Sequence, residues 1–208
     1  MRRFSLVSIV ALVLLSACND AKKPSDSNFR RAVNQYLRKH GEACTMIGRE
    51  FPVDVTESEQ RLQSGAAMQM AVLEQAGLVR SSNTTAVVHG MLDALHGPTP
   101  PQPVKRYDLT AEGQKYFRRT LGIFGQTISF CYGDKTVDSI VKWTEPVTMG
   151  AATQTEVTYR ITDLAPWAER SDVQREFGDV RATVSEISKS NEVVGLQLTN
   201  QGWEVSAP

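Results

Sequence analysis

Hydrophobic positions recur at helical spacing early in the chain and at alternate positions late in it. Phe29, Ala32, Val33, Tyr36, Leu37 and His40 fall at i, i+3, i+4, i+7, i+8 and i+11, one face of a helix. That helix starts near Asn28 behind Ser27 or Asp26 as cap, with Gly41 expected to end it in the left-handed conformation. Ala43 to Val55 reads as a short extended segment with a turn or edge at Pro52. Thr56-Glu57-Ser58-Glu59 has the spacing of a capping box and opens a short helix to about Ser64. A second helix is predicted from Gly65 to Ala76, with Met68, Met70, Ala71, Leu73 and Leu78 on or near its apolar side and Gly77 as its stop.

After about residue 126 the period becomes two. Ile128, Phe130 and Tyr132 alternate with Thr127, Ser129 and Cys131, and Val157, Tyr159 and Ile161 with Glu156, Thr158 and Arg160. Val180, Ala182 and Val184 alternate with Arg181, Thr183 and Ser185, and Leu196 and Leu198 with Gln197 and Thr199. This predicts an antiparallel meander with one wet face, closed by a tight Asn200-Gln201-Gly202 turn into a last strand through Trp203 and Val205. Ala165 to Phe177 is expected to hold a loop and a short helix. The fold class that follows is α+β: a helical half over 28–122, then a β-rich antiparallel half over 123–208, with the boundary near Gly122 to Gly125.

The first 17 residues fit neither half. Arg2 and Arg3 precede an apolar run from Phe4 to Leu15 that is shorter than a bilayer span, and small residues follow it. Leu15-Ser16-Ala17-Cys18 resembles the lipobox of bacterial lipoproteins. The resemblance implies that 1–17 is a signal peptide, that Cys18 is diacylated and becomes the new N-terminus, and that the chain partners a lipid bilayer through it. Several acyl chains on one residue give durable anchoring. Asn19 is not the aspartate that commonly retains such proteins in the inner membrane, so an outer-membrane address facing the periplasm of a Gram-negative cell is expected. Residues 18–27 are polar and read as a flexible tether.

A second resemblance lies further on. "LEQAGLVR" (Leu73 to Arg80) followed by "KRYDLTAEGQKYF" (Lys105 to Phe117) resembles winged-helix domains over roughly residues 56–120. There a recognition helix ends in a similar "AGL" turn, a β-wing follows, and its return strand runs into "LTxEG" and a closing helix. The wing departs from the family, with about 25 residues between Val79 and Val104 and a Pro-rich run within them. The recognition helix departs too, because Gly65 to Gly77 has no Arg or Lys, while reading DNA needs cations. The resemblance implies a fold and, at most, a protein-interaction module.

Cysteine usage supports export. With Cys18 assigned to lipid, Cys44 and Cys131 remain as an even pair in an oxidising compartment and are expected to form a disulfide, contributing about 4–5 kcal/mol on the chain-entropy model.

Charge excludes a class of partner. The chain has 23 basic and 23 acidic residues; cleavage before Cys18 removes Arg2 and Arg3 and no acid, leaving 21 and 23. A slightly anionic exported protein has no pull on nucleic acid.

Candidate chemistry is sparse. His89, Asp93 and His96 lie at i, i+4 and i+7 and, on a helix, can present two imidazoles and a carboxylate to Zn²⁺ or Fe²⁺. No nucleophile elbow, P-loop or dinucleotide fingerprint is present, and no cofactor is expected. His40 is expected to pack at its helix end. Trp143 and Trp203 suit core strand positions, while Trp167, after Pro166 in a loop, is the aromatic expected to be exposed for binding. The function expected is a non-catalytic, membrane-anchored periplasmic module binding another envelope protein. A metal-binding protein or metalloenzyme using His89, Asp93 and His96, and a phage-exclusion or immunity lipoprotein, are the alternatives.

Overall fold

The structure, a computed structural model, describes residues 20–88, 100–122, 125–147 and 151–206. A six-stranded antiparallel sheet is the larger part. It contains β1 (Glu42–Met46), β5 (Phe117–Gly122), β6 (Gly125–Trp143), β7 (Ala152–Thr162), β8 (Glu192–Thr199) and β9 (Gly202–Val205), in the order β1-β6-β7-β8-β9 with β5 also on β6. A three-stranded sheet holds β2 (Val53–Thr56), β4 (Gln102–Leu109) and β3 (Val79–Ala86), in that order. The helices are α1 (Asp26–His40), α2 (Glu57–Arg61), α3 (Gly65–Gln75), α4 (Ala111–Tyr116), α5 (Ser171–Glu176) and α6 (Gly178–Glu186).

This overturns the expected helical first half. Residues 28–122 contribute five strands, and the β-rich part dominates the molecule. Two of those strands, β1 and β5, join the large sheet, and α1 packs on β6 and β9 rather than on other helices. The reason lies in β6. At 19 residues it is long enough to carry β1 on one edge while the other edge holds β5 at its start and β7 at its end. Phe130 is paired with Thr45 on one side and Phe117 on the other. Strands of four to six residues carry too little periodicity to declare themselves; pairing with a long neighbour decides them. The same burial removes the expected wet face there: Ile128, Ser129, Phe130, Cys131 and Tyr132 are all buried.

A second correction concerns Val180 to Ser185, expected as a strand and found in α6. Val180 is buried and Val184 packs partly against the same core, the i, i+4 spacing of a helix. Alternating residues satisfy both periods when only every fourth one is apolar and inward.

Two hydrophobic clusters result. In one, Phe29, Val33 and Leu37 of α1 pack against Val137, Val157, Tyr159, Leu196 and Trp203 of the large sheet. In the other, Met70, Leu73 and Leu78 meet Val53, Val55 and Tyr107 of the small sheet, Phe130 of β6, and Trp167, Val173 and Val180 from the β7–β8 connection. Cys44 of β1 and Cys131 of β6 are register partners and form a disulfide enclosing 87 residues of chain.

Local signals explain the element ends. The Thr56 hydroxyl accepts from the Glu59 amide at 3.2 Å, and the Glu59 carboxylate accepts from the Thr56 amide at 2.9 Å, the complete capping box. Ser25, not Ser27 or Asp26, caps α1. Gly41 ends α1 at φ −97°, not left-handed; glycine is required because a Cβ there would lie 2.6 Å from the Leu37 carbonyl oxygen. Gly77 does adopt a positive φ of +76° after α3.

The stretch expected to be a flexible tether is docked where it is described. Asp20–Lys22 forms a 3₁₀ turn on β9. The Lys22 carbonyl accepts from Trp203 Nε1 at 3.1 Å, and the Lys23 carbonyl from Asn28 Nδ2 at 2.9 Å. None of the helices among the described residues is long and apolar enough to cross a membrane.

Candidate functional site

One open cleft among the described residues lies where the two sheets meet. The Phe51–Pro52 peptide is cis and turns the chain from β1 toward β2. It places the Phe51 ring edge-on to Phe117 (centroids 5.9 Å apart) and Phe130 (6.0 Å). Phe117 ends α4 and begins β5, so strand alternation sends Phe117 and Arg119 to one face and Arg118 to the other. Arg118 there pairs with Glu42 at 2.7 Å.

The result is an open cleft of about 460 Å³ lined by Phe51, Pro52, Arg80, Asp108, Leu109, Gln114, Phe117 and Arg119. The lining sets the partly buried Phe51, Leu109 and Phe117 and the exposed Pro52 beside two guanidinium groups, an amide and one carboxylate. Arg80 and Asp108 are register partners on β3 and β4. Arg119 lies 5.8 Å from the Phe117 ring centroid and pairs with Glu50 at 3.4 Å. Both groups of that pair are about half exposed, so it constrains Arg119 weakly.

Ion pairs fix the small sheet beside this cleft. Arg106 grips Asp54 through two contacts of 2.7 Å. The Glu74 carboxylate accepts from the Ser81 amide and hydroxyl and pairs with Lys105 at 3.0 Å. Burial alone would raise the Glu74 pKa; the Ser81 hydrogen bonds and Lys105 outweigh it and hold the carboxyl below its ordinary value. Glu59 behaves alike, with burial opposed and outweighed by hydrogen bonds from Arg49 and Thr56. These contacts tie α2 and α3 to the strands without entering the cleft.

The residues picked out from the sequence fall elsewhere. Cys18, His89, Asp93 and His96 lie outside the described residues. Cys44 and Cys131 approach Glu42, and this is the one cluster of three metal-ligating residue types among the described residues. Both sulfurs are bonded to each other and Glu42 holds Arg118, so the arrangement is structural.

Trp167 is a correction. It is 4% exposed, with its ring edge-on to Tyr132 (5.9 Å), Tyr116 (6.1 Å) and Phe130 (6.2 Å). Pro166 opens a 3₁₀ turn that carries the indole inward, onto an aromatic wall no local pattern reveals. Its Nε1 is buried without a hydrogen-bond partner among the described residues. His40, the last residue of α1, is exposed and stacks on Tyr36 at 4.4 Å.

Sequence reading missed Phe51, Arg80, Phe117 and Arg119. They come from three segments, with Phe117 and Arg119 two positions apart on β5, and no local pattern joins the three. No protein-family model, curated protein or solved structure matches the chain.

Proposed function

We propose that the protein is a non-catalytic, lipid-anchored module of the cell envelope that binds another envelope protein through the Phe51–Phe117 cleft. The cleft carries this reading. Two phenylalanines beside two arginines belong to the residue types enriched at protein-binding interfaces, where aromatic rings supply buried area and guanidinium groups supply directed hydrogen bonds. The lipobox-like Leu15-Ser16-Ala17-Cys18 supports anchoring through Cys18 and an envelope location. A winged-helix-like region over residues 56–120 is supported by the β3–β4 hairpin that follows α3 and by α4, which closes onto it. Because α3 carries no Arg or Lys, that region is assigned to protein rather than nucleic-acid contact.

The test is photo-crosslinking in cells, with a photoreactive residue at Gln114 on the cleft wall or at Gln197 on the exposed face of β8. An envelope protein captured at Gln114 and not at Gln197, and reduced severalfold by Arg80→Glu with Arg119→Glu, is the expected result. Capture at neither position, or equal capture at both, removes the cleft as the binding face.

A further inference from the structure

Anchored proteins commonly reach their partners on a slack leader; here the leader is seated. The carbonyls of Lys22 and Lys23 are held by Trp203 and Asn28, both themselves buried. Gly202 sits at φ +119° beneath the Ala21 carbonyl, where a Cβ would come within 3.2 Å of that oxygen. Trp203 in turn is edge-on to Phe29 at 5.0 Å, inside the cluster beneath α1. The backbone of 21–23 is therefore fixed to the core.

We infer that the end of the molecule formed by this turn, the start of α1 and the β8–β9 hairpin is a membrane-facing surface, held against the headgroups of the bilayer that takes the Cys18 acyl chains. This rests on Cys18 being lipidated. Cys18 precedes Asp20 by two positions, and an extended chain covers at most about 3.6 Å per residue, so the lipid-bearing residue stays within roughly 7 Å of the docked turn. That is about one Debye length at physiological ionic strength, the range over which surface charge is felt.

The chemistry around the turn suits such a surface. Lys22, Lys23 and Arg31 are exposed, and Lys23 and Arg31 flank a hollow of about 400 Å³ walled by Ser25 and Ser27. The acidic residues at this end include Asp20 in the turn and Asp26 at the start of α1, and the Asp26 carboxylate accepts from Trp143 Nε1 at 3.0 Å. Arg30 turns away, donating to the Val137 and Asp138 carbonyls. Cations and hydroxyls at the base of the anchor match anionic headgroups.

The test uses the full lipidated chain in vesicles of phosphatidylethanolamine and phosphatidylglycerol carrying a headgroup nitroxide. A fluorophore is placed on Ser27→Cys beside the hollow or on Asn83→Cys in the small sheet, over the other cluster. Quenching at least threefold stronger at position 27 is expected, falling toward equality when ten Gly/Ser residues are inserted between Asn19 and Asp20. Equal quenching on protein that floats with the vesicles overturns the surface and leaves the anchor intact. A ratio unchanged by the insertion overturns the short leash as its cause. Protein that does not float overturns anchor and surface together.

Discussion

Trp203 donates its indole N–H to the carbonyl of Lys22 at 3.1 Å, across 181 residues of chain. The contact ties the beginning of the fold to its last strand. Trp203→Phe keeps the ring on Phe29 and removes the donor; it is expected to lower stability by about 1 kcal/mol, whereas Trp203→Ala is expected to cost about 3–5 kcal/mol. Urea unfolding of the soluble Cys18→Ala protein measures both. Equal losses would show that the hydrogen bond, not the ring, dominates.

The disulfide encloses 87 residues, so its removal releases a large loop in the unfolded state. Chain entropy predicts a loss of about 4–5 kcal/mol for Cys44→Ala with Cys131→Ala. The urea midpoint of the oxidised protein should fall in reductant to that of the double variant. A midpoint indifferent to reductant would contradict the bond's role.

Gly113 explains why a glycine occupies the "LTAEG" turn. A Cβ there would stand 2.0 Å from the Leu78 carbonyl oxygen, a backbone atom that cannot swing aside. That oxygen already accepts from the Thr110 amide at 3.0 Å. Gly113→Ala is expected to destabilise by about 2–3 kcal/mol or more, despite alanine's better helix propensity. A stability equal to wild type in thermal unfolding would refute the close approach.

Tyr159 sets an alkaline limit. It is buried, and burial, with Glu192 and Tyr36 adding smaller contributions, pushes its pKa up to about 12 from 10. The unfolded chain loses this proton first, so the stabilisation is whole below pH 10 and is lost as the pH rises through 12. The two-unit gap corresponds to roughly 3 kcal/mol. Chemical unfolding at pH 9 to 12 should show this slope, and Tyr159→Phe should flatten it; a slope unaltered by that variant would assign it elsewhere.

Legibility followed the range of the interaction. The capping box at Thr56 and Glu59, the apolar face of α1, the span of α3 and the Gly202 turn were readable because each is specified by residues within a few positions. β5 was not readable, and β1 was readable only as part of an extended segment from Ala43, since both take their place in the sheet by pairing with β6. Val180 and Val184 misled because two periods share a spacing of four. Trp167 misled because a loop tryptophan next to a proline is exposed by local rules, and here an aromatic wall of Tyr116 from α4 and Phe130 and Tyr132 from β6 receives it.

The cleft follows the same division. Its arginines and phenylalanines are ordinary residues in sequence, separated by up to 68 positions, and become a site where the Phe51–Pro52 turn meets the start of β5. Residues near one another in the chain specify the caps and turns, and setting Cys18 aside for lipid left Cys44 and Cys131 as the pair that the fold joins. Long-range pairing and burial settled which short segments became strands, which aromatics went inside, and that the backbone of Lys22 is held by Trp203. Capping and periodicity act within a turn or two of chain, whereas strand pairing and burial are settled by whichever distant surface is left to be covered.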